Sequence, residues 1–229
     1  MRVVPQPEGV LSHPLARRYP RYEPSFAAVS TGRGAVITVS RSILPAVERI
    51  VGGAERDQVF QPERLAAVDR LLHERGLTVY GPYLRLMCAD DTIRPCPAPE
   101  GYTVTVEHDP PHRRILALGP ERWPNAISLR RDASCRAIAV AAYAGETVGV
   151  AAISADTALF WQIGIDVVAP FRGRGVGVAL TAALARVALD AGRIPWYGVA
   201  PSNLASIATA LGAGFRPRWV EAFSAPPGR

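Results

Sequence analysis

The chain has 229 residues, 48% hydrophobic and 20% charged, which admits one large domain or a standard domain with an extension and excludes disorder, collagen and coiled coil. No apolar run reaches the roughly 18 to 20 residues needed to span a bilayer, so no membrane association and a cytoplasmic location are expected. All 26 basic residues are arginine, which suggests a GC-rich bacterial genome, and the net charge of +6 favours anionic ligands without choosing between nucleic acid and a phosphorylated small molecule.

In chain order, residues 1 to 34 are proline-bearing, carry the cluster Arg17, Arg18 and Arg21, and read as an irregular arm. Ala35 to Ser40 is rich in β-branched residues and predicts a strand, followed by a brief helix from Ser42 to Ile50 that Gly52 and Gly53 end. From Pro62 to Arg75 a helix is predicted by Leu65, Val68 and Leu72, with Pro62 in the first turn and Gly76 as the stop. Leu77 to Cys88 alternates like a strand. The three prolines and charge pair of Ala89 to Gly101 signal a linker, placing a division near residue 100 between an N-terminal extension (1 to 100) and a second unit (101 to 229).

Beyond that point Tyr102 to Glu107 reads as a strand, and residues 111 to 129 as a helix with a broken, arginine-bearing connection. Arg136 to Tyr143 and Val148 to Ser154 read as a hairpin around Ala144-Gly145-Glu146-Thr147. Leu159 to Val168 is a third strand, and a glycine-rich loop leads into a helix reaching Ala191, with Leu180, Leu184 and Val187 on one face. A strand from Trp196 to Ala200, a helix from Asn203 to Leu211 closed by Gly212 and Gly214, and a strand from Phe215 to Phe223 complete the chain. This order predicts an α/β protein with a mixed sheet flanked by helices, plus a smaller N-terminal α/β extension.

Chemistry enters at Arg172-Gly173-Arg174-Gly175-Val176-Gly177. Glycines let backbone N–H groups approach a ligand, the following helix points its positive end at the same place, and two arginines add charge-assisted donors. That combination suits a pyrophosphate, although a solvated turn or an RNA-contacting patch has the same composition. Neither the Walker loop nor the dinucleotide fingerprint matches this glycine spacing.

The segment from Val168 to Gly177 resembles the acetyl-CoA signature Arg/Gln-x-x-Gly-x-Gly/Ala of GNAT superfamily N-acetyltransferases. Two further segments match in order: the hairpin AVAAYAGETVGVAAIS, and Asn203-Leu-Ala-Ser206 followed by Leu211-Gly-Ala-Gly-Phe215. The resemblance covers about residues 102 to 223 and leaves the first hundred uncovered. It implies a GNAT-like acyl-CoA N-acyltransferase fold, acetyl-CoA as donor and CoA as product. By the same resemblance, Val167 and Val168 supply backbone contacts to the pantetheine arm, Arg172, Gly173, Arg174, Gly175, Val176 and Gly177 the phosphate cradle, and Asn203 and Ser206 polar contacts.

The implied reaction is direct acetyl transfer to a primary amine in a ternary complex, which requires a base for the amine and a proton donor for the departing thiolate. Many family members carry a tyrosine seven residues after the motif asparagine; here that position is Ala210. Trp161-Gln162-Ile163, where relatives carry a titratable base, has none. Asp166 is the candidate base and Tyr197 the candidate acid, against hydrogen-bonding and packing roles. Trp161 and Trp196 are candidate acceptor walls, against an aromatic core.

A catalytically silent CoA-binding sensor or interaction module is the alternative. A nucleic-acid binder using Arg113, Arg114, Arg130, Arg131, Arg172 and Arg174 is a weaker one, because no basic stripe is concentrated anywhere. The expected acceptor is a small-molecule or peptide amine, with no nucleic-acid partner; the sequence specifies neither which amine nor an oligomeric state. Cys88, Cys96 and Cys135 show no CxxC spacing and read as reduced thiols. His108 and His112 are separated by prolines that deny them a helical face, so no metal is expected.

Overall fold

The computed structural model describes residues 2–5, 25–55, 57–127, 135–155 and 157–228. Within them one ten-stranded sheet is formed by β1 (Arg2–Pro5), β2 (Phe26–Ser30), β3 (Ala35–Val39), β4 (Thr78–Met87), β5 (Tyr102–His108), β6 (Cys135–Tyr143), β7 (Glu146–Ala155), β8 (Phe160–Val167), β9 (Ile194–Val199) and β10 (Arg216–Ala225). The strand order is β1-β3-β2-β10-β4-β9-β8-β7-β6-β5. Only β1 with β3 and β8 with β9 run parallel. The helices are α1 (Leu44–Val51), α2 (Pro62–His73), α3 (His112–Leu116), α4 (Val176–Asp190) and α5 (Leu204–Gly212).

Local chemistry explains most of these boundaries. Helix α2 starts on Pro62, buries Leu65, Val68 and Leu72, and stops where Gly76 takes φ +67° and Leu77 N–H donates back to Leu72 O. Asp69 ties this helix to the start of β4, its Oδ1 accepting from Thr78 Oγ1 and Val79 N, both at 2.7 Å. Those bonds hold the Asp69 carboxyl below its ordinary range against the opposing effect of its burial. The β6–β7 hairpin turns on Ala144 and Gly145, both at positive φ, as a two-residue loop of the primed type requires.

Two departures from the predicted elements matter. The described part of the first 34 residues contains β1 and β2, where an irregular arm is expected. β2 (FAAVS) has little periodicity of its own and is fixed by pairing with β3 on one side and β10 on the other. Arg17, Arg18 and Arg21 lie outside the described residues, as do Arg130 and Arg131. Second, β4 does not sit beside the other early strands. It lies between β9 and β10, so residues on both sides of position 100 share one continuous sheet.

The segment from Ala89 to Gly101 is packed along α5 and α4. Arg94 N–H donates to Ala213 O at 3.2 Å, and Pro99 Cγ stands 3.5 Å from where a β-carbon on Gly175 would be. Thr92 O lies so close to Gly214, which has φ +101°, that no side chain fits there. One core joins α4 and α5 to β4 and to β6 through β9, around Leu86, Ile153, Ile163, Leu180, Leu184 and Phe215. A second joins α1 and α2 to β2 and β3, around Phe26, Ile37, Val47 and Leu72. No helix of the described residues is long and apolar enough to cross a membrane.

Candidate active site

Parallel strands β8 and β9 pair only at Phe160 with Ile194, Trp161 with Pro195 and Gln162 with Trp196. β8 continues to Val167 and β9 to Val199 without further pairing to each other, and the two edges splay into a wedge. Alternation along β8 sends Ile163, Ile165 and Val167 toward α4 and α5, and Gln162, Gly164 and Asp166 to the opposite face. On β9, Tyr197 and Val199 face the helices, leaving Trp196 and Gly198 on the other side.

A cleft of about 650 Å³ runs from this wedge to the N-terminus of α4. Asp166, Val167, Arg172, Gly173, Gly175, Gly177, Tyr197, Asn203 and Ser206 line it together. Nine of the sequence-predicted site residues therefore meet in one place.

The glycines at 173 and 175 adopt φ +73° and +82°, a region that costs other residues roughly 1–2 kcal/mol. They turn the chain so that α4 begins at Val176 with no side-chain cap. The first α4 bond runs from Ala179 N to Gly175 O, so the amides of Val176, Gly177 and Val178 have no partner within the helix. The Val176 side chain itself is buried in the core, and its contribution is this amide. Gly177 brings α4 close to α5, since a β-carbon there would stand 3.3 Å from Thr209 Cγ2. Arg172 folds back over the cleft, its Nε donating to Val167 O at 2.8 Å. Arg174 does not line the cleft; its guanidinium stands 5.8 Å from the Phe171 ring. Glycines without β-carbons, free helix amides and an arginine form a donor set that fits a pyrophosphate.

Val168 is not part of that lining. Its N–H donates to Val148 O and its carbonyl accepts from Phe171 N, each at 2.9 Å, so both of its backbone groups are already engaged.

Helix α5 closes the cleft. Asn203 caps it, Oδ1 accepting from Ser206 N–H at 3.1 Å. Ser206 Oγ is 2.8 Å from the Tyr197 hydroxyl. Burial pushes the Tyr197 phenol above its ordinary range, the bond to Ser206 opposes this, and the charge of Asp166 across the wedge adds to it. Ala210 is completely buried, so the helix position where relatives carry tyrosine faces the core.

Asp166 is an acceptor in three bonds. Oδ2 accepts from the backbone N–H of Asn125 and of Ala126, both at 2.8 Å, and Oδ1 from Asn125 Nδ2 at 2.6 Å. The carboxylate thus pins the segment after Trp123 across β8, where Asn125 O leaves no room for a side chain on Gly164. Asn125 lines the cleft and was not singled out in the sequence, where it lies inside the irregular connection after α3. Trp161 packs on the α4 side and Trp196 faces the opposite side, so they do not wall one site together. Cys88 is buried in the core and its thiol is pushed up to about 12, chiefly by burial.

The chain belongs to the acetyltransferase (GNAT) family, whose model matches residues 96–215, more than half of the sequence. It is an acyltransferase by that membership. Solved structures with a similar fold include a GCN5-related N-acetyltransferase-like protein from Streptococcus suis, 19% identical, with a TM-score of 0.50 over 70% of this chain and 68% of that one. A GCN5-related N-acetyltransferase from Kribbella flavida is 17% identical, with a TM-score of 0.52 over 70% of this chain and 63% of that one. No curated protein matches the sequence.

Proposed function

We propose that the chain transfers an acetyl group from acetyl-CoA to a primary amine of a small molecule or peptide, directly and within one ternary complex. The observation that carries this reading is the single cleft joining the uncapped α4 terminus and its glycine turn to the unpaired edges of β8 and β9. Bound acetyl-CoA supplies an acetyl thioester for attack by the amine. The amides of Val176 to Val178, the turn at Gly173 and Gly175, and Arg172 hold the pyrophosphate. Val167, on the splayed edge, lies beside the pantetheine arm, and Asn203 adds a polar contact while capping α5.

Tyr197 holds a proton at Oη for the departing sulfur, and Ser206 Oγ orients that hydroxyl. Burial, which keeps the phenol protonated through the neutral range, supports this assignment. Asp166 serves the site as the pin of the Asn125 segment, so amine deprotonation falls to water or to the acceptor's own equilibrium.

The test is twofold. Acetyl-CoA at millimolar concentration raises the melting temperature, as a ligand of the native state must, and CoA is released when an accepted amine is added. Stabilisation without CoA release across all amine classes would identify a silent CoA-binding module instead. A flat melting response would remove the proposal altogether.

A further inference from the structure

The face of the sheet opposite α4 and α5 carries a second polar constellation beside the same wedge. Arg85 of β4 pairs with Gly198 of β9, two residues past the last β8 contact. Its guanidinium lies flat over the β9 backbone at a position where any β-carbon on residue 198 would overlap Nη1. The plane is fixed by the rings of Trp196 and Tyr83, 4.9 and 5.2 Å from Cζ. Nη2 donates to Glu221 Oε1 at 2.5 Å, and Glu221 Oε2 accepts from Trp219 Nε1 at 2.8 Å.

This arginine is only 7% exposed, yet one of its three nitrogens is used. Among the described residues Nε and Nη1, which together carry three N–H groups, have no hydrogen-bond acceptor. Leaving buried charged donors unmet is costly, and a binding site recovers that cost when its ligand brings the acceptor. Nη1 lies over the splayed part of β9, on the side from which an amine can reach the wedge once the α4 and α5 side is filled.

We infer that Arg85 binds an anionic group of the acceptor, and that the acceptor is a small amine bearing a carboxylate, of amino-acid type. Glu221 restricts the class. Its negative charge beside the docking nitrogen tolerates a monoanion and repels a phosphate dianion. Polyamines have no group for Nη1. The inference rests on the acetyl-transfer reading and adds the substrate class of that same site.

The experiment measures CoA release from acetyl-CoA with α-, β- and γ-amino acids, each paired with its carboxamide. One or more free acids should exceed their amides by about 100-fold in kcat/KM, the scale expected for a desolvated charge pair. In the double variant R85Q/E221Q, which leaves no lone buried charge, that preference should fall below about tenfold while the acetyl-CoA melting shift persists. Arg85→Lys, which keeps a partner for Glu221, should raise KM for the acids and leave kcat nearly unchanged. Should the double variant fail to fold, the wild-type preference and the lysine variant still decide.

Equal use of acids and amides, better use of polyamines, or a preference that survives the double variant would each overturn the inference. Acetyl-CoA binding with no amino acid acetylated overturns it too. Absence of acetyl-CoA binding instead removes the underlying acetyl-transfer reading.

Discussion

The two sides of the wedge between β8 and β9 are built in opposite ways. On the α4 and α5 side, the cleft draws mainly on two short runs, residues 165–178 and 203–209, and its donors are largely backbone amides. On the other side, Arg85, Trp196, Gly198, Trp219 and Glu221 come from three strands, one of them from the first hundred residues. A backbone cradle leaves a sequence signature because only glycine permits its turn and only a helix start supplies its amides. A side-chain constellation across strands leaves none until the sheet order is known.

The largest expected effect tests whether the two sides are separable. Deleting residues 1 to 100 removes β4, which holds β9 to β10 along Leu84–Val199 and Val220–Leu84 pairings. It also strips Leu86 from the core. The truncated chain is expected to show no cooperative unfolding transition by circular dichroism. A cooperative melt from soluble residues 101–229 would show that the cofactor side stands alone.

Next in size, Gly175→Glu should abolish stabilisation by acetyl-CoA. The change places an anion in the cradle and forces a side chain into φ +82°, costing about 1–2 kcal/mol by itself. Gly175→Asn sharpens the comparison, since asparagine tolerates this conformation better and adds no charge. A retained melting shift in the glutamate variant would move the phosphate site elsewhere.

A smaller and more selective effect is expected from Tyr197→Phe. The ring still packs against Phe215, so acetyl-CoA affinity should hold while kcat falls about 100-fold, within the usual scale for a lost proton donor. Its alkaline limb in the kcat profile should disappear. Unchanged turnover would return Tyr197 to a packing role and leave the proton route to Ser206 or water.

The uneven legibility of the sequence follows the same division. Helix α2, the β6–β7 hairpin, the glycine loop and the Asn203 cap were readable because periodicity, turn residues and caps act over a few positions. β2 was not, because a five-residue strand with two alanines is specified by its neighbours. Asn125 was hidden in an irregular connection that only Asp166, some forty residues later, holds in place. Arg85 did leave a trace, a charge between Leu84 and Leu86 in an alternating strand, but its partner Glu221 is 136 positions away.

The smallest expected effect asks whether the cofactor side is as dry as its packing implies. Cys88 and Tyr197 both sit in the core under α4 and α5, and burial raises both above their ordinary values, Cys88 to about 12 from 9.0. For each, the folded state prefers the neutral form more strongly than the unfolded chain does. Their contribution to stability is therefore fully present below pH 9 and is lost as pH climbs toward the folded values, because the unfolded chain ionises first. Urea unfolding between about pH 8 and 10.5 should show stability falling with pH. Cys88→Ala should flatten the part of that fall that begins near pH 9 and leave the part beginning near 10, which belongs to Tyr197 and other phenols. The alanine variant will be less stable overall, since it opens a small cavity beside Leu86, so the comparison lies in the slope and not in the midpoint. An unchanged slope would mean that water reaches the thiol, and with it the inner wall of the cleft.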